Sequence, residues 1–236
     1  MKALIFAAGL GERMRPLTDT TPKPLLVAGG KPLIAWHLEK LAAIGVRDVV
    51  VNTSWLAEQF PQALGDGSQW GLQLQYSYEG DTPLETGGGM LHALPLLGPD
   101  PFLLVNGDIW TDYDFARLPR EPEGLAHLVM VDRPGHATHG DFSLDASGYV
   151  RPDGATLLTY AGLGIYRPQV LSDWRDIIEG NETSGNPPRF RLAPVLKALM
   201  PDNRITGEYH RGRWTDVGTP ERLSRLDHEL SSPPRP

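Results

Sequence analysis

Three sets of residues in this sequence have types and spacing suited to phosphate chemistry. Gly9-Leu10-Gly11-Glu12-Arg13 follows directly on an apolar run. Two glycines in that position let backbone N–H groups approach an anion closely, although GxG alone is equally the mark of a tight turn. Met14 stands at the third glycine position of the dinucleotide fingerprint, and no Gly-Lys-Ser/Thr follows. That sets aside a Rossmann dehydrogenase and a P-loop ATPase. Arg13 and Lys23 supply cations nearby, each on its own no more than a solvated surface charge. Asp108 follows the apolar run Phe102 to Val105, and Asp216 lies far downstream in Trp214-Thr215-Asp216. Alone, either carboxylate reads as a turn former or a helix cap. Together, two carboxylates from distant segments are what a hard Mg²⁺ bridging phosphates would use, with water in its other positions.

These residues act together only if the fold gathers them. Residues 2–7 read as a buried strand feeding a glycine turn, and the Gly-, Pro- and Thr-rich stretch to about Lys31 as a long loop. Leu33, Ile34, His37, Leu38 and Leu41 repeat at helical spacing, with Gly45 as a stop. Val49 to Val51 is a strand, Trp55 to Leu64 a helical stretch, and Leu72, Leu74 and Tyr76 alternate as in a strand. A helix follows Thr86-Gly87-Gly88-Gly89 to about Leu97, then a strand from Phe102 to Val105. Strands alternating with helices imply an α/β fold with a mainly parallel sheet covered on both faces. Ligands in such sheets bind beyond the carboxyl ends of the strands, where Gly9 and Asp108 both fall. The second half is less regular. Strands are expected near Leu125 to Val131 and Leu157 to Tyr166, and a hairpin around Asp145 to Gly148. A helical run is expected from Pro194 to Met200, and a last helix capped by Thr219 with Pro220 at its first position.

Composition narrows the function classes. Lys and Arg total 22 against 29 Asp and Glu, a net charge of -7 that argues against a nucleic-acid partner. The cations are concentrated: residues 1–31 carry Lys2, Arg13, Arg15, Lys23 and Lys31 against only Glu12 and Asp19. With no cysteine among 236 residues, thiolate metal sites and a cysteine nucleophile are excluded. No apolar run approaches the roughly 20 residues of a membrane helix, so no membrane partner is expected. Lys2 and the apolar residues after it faintly imitate a secretion signal, but Glu12, Arg13 and Arg15 interrupt it, and a cytoplasmic location is expected. The six tryptophans are expected to serve packing rather than ligand binding.

The stretch Ala7-Ala8-Gly9-Leu10-Gly11-Glu12-Arg13-Met14-Arg15-Pro16-Leu17-Thr18 with Pro22-Lys23-Pro24 resembles the signature of the sugar-1-phosphate nucleotidylyltransferases. The resemblance continues through Leu84-Glu85-Thr86-Gly87-Gly88, Asn106-Gly107-Asp108 and Trp214-Thr215-Asp216-Val217-Gly218-Thr219, and so covers nearly the whole chain. It implies a Rossmann-like, GT-A-like nucleotidyltransferase fold with a mixed, mostly parallel central sheet flanked by helices. One domain is expected over residues 1–230, with a nucleotide-binding half of about 1–110, a sugar-phosphate half of about 111–230, and a flexible tail at 231–236.

By that resemblance, Ala8, Gly9, Gly11 and Glu12 cradle a triphosphate, Arg13 holds the leaving pyrophosphate, and Lys23 reaches the α-phosphate and the incoming sugar phosphate. Arg13, Lys23 and Asp108 are the implied catalytic residues. Glu79, Thr86 and Gly87 match the region that reads the base, where glycines would admit the base plane; a flexible loop is the plainer reading of three glycines. Asn106, Asp141 and Gly162 match sugar-side positions, and Asp108 with Asp216 would hold Mg²⁺. Within the family the resemblance is to members that transfer UMP from UTP to N-acetylmuramate 1-phosphate. His136, His139 or Arg191 could then meet the lactyl carboxylate. Mannose or glucose 1-phosphate with GTP, dTTP or UTP is the alternative chemistry, and a catalytically silent nucleotide-sensing subunit the alternative of another class. A monomer or small homo-oligomer is expected, and hexapeptide repeats of the kind that build an acetyltransferase arm are absent from the sequence.

Overall fold

A computed structural model describes residues 1–179 and 185–232. The elements in chain order are β1 (Lys2–Phe6), β2 (Val27–Ala28), β3 (Lys31–Pro32), α1 (Leu33–Ala43), β4 (Asp48–Thr53), α2 (Gln59–Leu64), β5 (Gln73–Tyr78), α3 (Glu85–Leu97) and β6 (Phe102–Asn106). There follow β7 (Ile109–Thr111), β8 (Ala126–Val131), β9 (Ser143–Leu144), β10 (Val150–Arg151), β11 (Thr159–Tyr166), α4 (Trp174–Ile177), α5 (Leu192–Leu199), β12 (Ile205–Tyr209), β13 (Trp214–Asp216) and α6 (Pro220–Ser231).

Seven strands form the central sheet in the order β12-β8-β11-β6-β1-β4-β5. Its pairs are parallel except those of β11, which runs antiparallel to both β6 and β8. Alternation along β1 explains the two-sided burial. Ala3 and Ile5 join a cluster that includes Ile34, Leu38 and Leu41 of α1, while Leu4 joins Met90, Ala93 and Leu97 of α3 on the other face. A third cluster packs Met14, Leu33, Trp110, Val217, Leu223 and Leu226 together, tying the segment after β1 to α6. Among the described residues no helix is long and apolar enough to cross a membrane.

Local chemistry accounts for where the sequence reading and the structure differ. The expected loop before Lys31 is wound into single 3-10 turns, closed by bonds such as Met14 N–H to Gly11 O at 2.8 Å and Leu25 N–H to Pro22 O at 2.9 Å. The helical stretch from Trp55 shrinks to α2, because Leu56 takes a left-handed φ of 51° and interrupts the winding. Gly87, Gly88 and Gly89 lie inside α3 and are buried, not in a flexible loop. The short β7 and β13, with three residues each, gave no periodic signal and are held by pairing to one another. Of the proline-rich tail, Ser231 closes α6 and residues 233–236 lie outside the described residues.

Candidate active site

A cleft of about 620 Å³ opens where β1, β4, β5 and β6 end. Ala8, Gly9, Gly11, Glu12, Arg13, Lys23, Glu79, Thr86, Asn106 and Asp108 all line it. Gly11 takes φ +65°, and a Cβ there would fall 2.8 Å from Thr18 Cγ2. Thr18 in turn donates its hydroxyl to Gly11 O at 2.9 Å, and its own carbonyl accepts the Trp55 indole N–H at 2.9 Å. The turn is thus fixed from outside, leaving its inner edge to the cleft. A Cβ on Gly9 would meet no protein atom within 4 Å.

Lys23 is nearly buried, and its Nζ donates to Asp108 Oδ2 at 2.6 Å. Asp108 reaches this position through a tight turn after β6, where Gly107 N–H donates to Phe6 O at 2.8 Å. A Cβ on Gly107 would lie 2.8 Å from the same carbonyl, so the close approach of the two strand ends requires glycine.

Asp216 arrives from the far end of the chain by backbone pairing. β13 runs antiparallel to β7 with Asp216 opposite Ile109, and Val217 N–H donates to Asp108 O at 2.8 Å. Asp108 lines the cleft, whereas Asp216 lines neither pocket described here and is brought near by the pairing of the two segments; two hard oxygen donors of this kind are a donor set that suits Mg²⁺. No group of three or more such side chains that could hold a metal ion occurs among the described residues, so substrate oxygens or water would have to complete the coordination. The Asp216 carboxylate also has protein partners. Arg222 Nη1 lies 2.7 Å from Oδ1 and 2.6 Å from Oδ2, and His136 Nε2 lies 3.1 Å from Oδ1.

Glu79 is buried at the opposite wall. Its Oε1 accepts from Asn52 Nδ2 at 2.5 Å and its Oε2 from Leu84 N–H at 2.7 Å. Asn52 Oδ1 accepts from Ala7 N–H at 2.6 Å, so one chain of bonds joins the end of β1 to the start of α3. Burial pushes the Glu79 carboxyl above the usual range, opposed by these two donated bonds. The glycines of α3 serve this packing. A Cβ on Gly89 would strike Glu79 Oε1, one on Gly88 would strike Pro188 O, and one on Gly87 would strike the Phe190 ring. The room expected for a base plane at Gly87 is filled by Phe190, whose carbonyl accepts Gly87 N–H at 2.9 Å; Gly87 lines neither pocket described here.

A side pocket of about 150 Å³ shares Phe6, Thr86 and Asn106 with the cleft and adds Asp141, Phe142 and Tyr160. Asp141 Oδ2 accepts from Tyr160 N–H at 2.9 Å. Gly162, at φ +71°, lies behind Asn106: a Cβ would fall 2.5 Å from Asn106 Nδ2. Its position backs the asparagine and does not line the pocket. His136 is engaged with Asp216 and Arg222. Arg191 is largely exposed, 3.7 Å from Glu85, and His139 is exposed.

Sequence reasoning missed Asn52, Arg189 and Arg222. Asn52 had a usable signal, since it follows the apolar run Val49 to Val51 at a strand's carboxyl end as Asp108 follows Phe102 to Val105. Arg189 lines the cleft and donates to Pro83 O and Glu85 Oε1, both at 3.0 Å, from a stretch without periodicity. Arg222 was flagged by nothing except a cation in the first turn of a helix, where the dipole disfavours it.

The chain is 50% identical over 230 residues to N-acetylmuramate alpha-1-phosphate uridylyltransferase of Neisseria meningitidis serogroup B, covering 94% of this chain and 95% of that one. A protein of the same name from Caulobacter vibrioides is 36% identical, with 93% and 92% covered. Mannose-1-phosphate guanylyltransferase of Mycobacterium tuberculosis is 31% identical across 97% of this chain and 64% of its own. Among solved structures, a Bacillus anthracis protein assigned as a glucose-1-phosphate thymidylyltransferase superposes with a TM-score of 0.85 at 19% identity, covering 100% of this chain and 97% of that one. That likeness speaks to the fold. The family model for Nucleotidyl transferase matches residues 2–232, and with it the Gly9–Gly11 turn, the Lys23–Asp108 pair and the mixed sheet fall into one assignment: the chain belongs to the nucleotidyl transferase family.

Proposed function

We propose that this protein transfers UMP from UTP to N-acetylmuramate 1-phosphate, giving UDP-N-acetylmuramate and pyrophosphate, a step of peptidoglycan recycling. The observation that carries the transferase reading is the single cleft holding the Gly9–Gly11 turn, Arg13, Lys23 and Asp108, with a side pocket reached past Asn106. The choice of uridine and muramate is supported by the relative at 50% identity over nearly the full length of both chains.

The reaction is in-line attack of the sugar phosphate oxygen on the α-phosphorus, with pyrophosphate leaving. A phosphate monoester, with a second pKa of about 6, is already largely ionised at neutral pH, so the site needs no general base. What it must overcome is repulsion between two polyanions. The chain's own residues do this by position and charge. The backbone from Ala8 to Glu12 receives the triphosphate, Arg13 takes the pyrophosphate, and Lys23 bridges the α-phosphate and the acceptor phosphate. Thr86 and the Glu79-held start of α3 border the base. Asn106 and Asp141 orient the sugar, with Gly162 backing Asn106. Asp108 and Asp216 would hold Mg²⁺, which when bound supplies charge neutralisation to the phosphates.

The working unit on this reading is one domain over 1–230, its first half of about 1–110 taking nucleotide and the remainder to about 230 taking sugar phosphate. A cytoplasmic monomer or small homo-oligomer fits a reaction that consumes UTP. Pyrophosphate release across four nucleoside triphosphates and several sugar 1-phosphates, with and without Mg²⁺, tests it. Turnover with UTP and N-acetylmuramate 1-phosphate is expected. Activity confined to GTP and mannose 1-phosphate would sink the muramate assignment, and nucleotide binding with no turnover in any combination would sink the transferase itself.

A further inference from the structure

Arg222 is the feature that the proposed reaction leaves unused. It stands in the first turn of α6, where the helix dipole opposes a positive charge, and its side chain is only 15% exposed. Its position is specifically prepared. Gly218 leaves the space over which the guanidinium lies, for a Cβ there would sit 2.4 Å from Arg222 Nη2. The guanidinium nitrogen Nη1 then reaches both carboxylate oxygens of Asp216, at 2.7 and 2.6 Å. On the other side of the Val217–Asp108 backbone bond, Lys23 donates to one oxygen of Asp108, Oδ2, at 2.6 Å. Each carboxylate of the proposed metal pair is thus already matched by one protein cation.

We propose that Arg222 is a positioning residue that competes with the divalent cation for Asp216. The proposal rests on the two-carboxylate reading of the metal site. In the free protein Arg222 contacts both oxygens of Asp216, beside His136 Nε2 at 3.1 Å from Oδ1, and fixes the carboxylate without a metal. A dication can take an oxygen of Asp216 only by displacing the guanidinium or by sharing the carboxylate with it at close range, and both cost Coulomb energy. Bare metal ions are therefore held weakly. The triphosphate changes the balance, because its negative charge offsets the repulsion and offers the released guanidinium an alternative partner. Metal and nucleotide consequently load together.

Mn²⁺ alone, without nucleotide, provides the test, with free Mn²⁺ counted by its electron paramagnetic resonance signal. Arg222→Gln is expected to bind Mn²⁺ about three- to tenfold more tightly than wild type, the worth of a partly screened ion pair. Arg222→Met, which keeps much of the apolar stem, should do the same, and Arg222→Lys should stay closer to wild type. Thermal unfolding checks that each variant is folded. Equal or weaker Mn²⁺ binding by folded Arg222→Gln and Arg222→Met, with Asp216→Asn still weakening the wild-type site, overturns the competition alone. If Asp108→Asn and Asp216→Asn both leave Mn²⁺ binding unchanged, the metal site itself is misassigned, and the competition falls with it.

Discussion

Lys23 and Asp108, 85 positions apart, meet as an ion pair of 2.6 Å on the wall of the cleft. The lysine is largely screened from water and the carboxylate is not, so the pair holds a nearly desolvated cation on the cleft wall, where the proposed reaction places the phosphates. Lys23→Ala should leave the fold intact and lower turnover about a hundred- to a thousandfold, the usual cost of removing one preorganised donor. Pyrophosphate release by a folded variant at the wild-type rate would reject the role.

Asp108→Asn and Asp216→Asn keep the shape of each side chain and remove its charge. Both should abolish magnesium-dependent activity, measured as pyrophosphate release in a Mg²⁺ titration. A variant of either with an unaltered titration curve removes that residue from the metal site.

Two glycines should separate by phenotype. Gly9→Ala adds a methyl group that meets no protein atom within 4 Å, so its melting temperature should stay near wild type while UTP binding weakens. Gly87→Ala drives a methyl group into Phe190, which is stacked on Trp174 at 4.5 Å, and overpacking of this kind costs about 1–3 kcal/mol. Calorimetric melts and UTP titrations of the two variants check this; equal losses of stability would contradict the packing argument.

Acid should loosen the site through His37. This buried ring donates from Nε2 to Ile109 O at 2.9 Å, and burial lowers its pKa from 6.5 to about 4. Between those values the unfolded chain binds a proton that the folded chain refuses. Stability is therefore full above about pH 6.5 and falls as pH drops toward about 4, by roughly 3 kcal/mol in all. Urea melts at about pH 7.5 and about pH 5 should show this loss in wild type and a smaller one in His37→Gln.

The sheet and the glycine turn after its first strand were legible because both depend on short-range patterns. Val49 to Val51 and Phe102 to Val105 are apolar on both faces of a parallel sheet, and Gly9 and Gly11 follow the first such run directly. What escaped depended on distance in sequence. β7 and β13 are three residues each, and nothing in Ile109–Thr111 announces a partner a hundred positions away. Gly87, Gly88 and Gly89 look permissive in the sequence, yet Phe190, Pro188 and Glu79 fill the space that their missing side chains leave. Glu79 was visible as an acid near the base-reading stretch. Its hydrogen bonds to Asn52 and Leu84 emerge only when β4, β5 and α3 lie side by side.

The β7–β13 pairing also sets an order of events during synthesis. Lys23 and Asp108 leave the ribosome well before Trp214 to Asp216, so a nascent chain carries the first pair while it still lacks the second carboxylate. Strand β13, and α6 whose Asp227 accepts from Gly29 N–H at 2.9 Å, join the segments before residue 112 only after nearly the whole chain has been made. A chain that ends before residue 214 lacks both β13 and α6, and with them the partners of β7 and of Gly29.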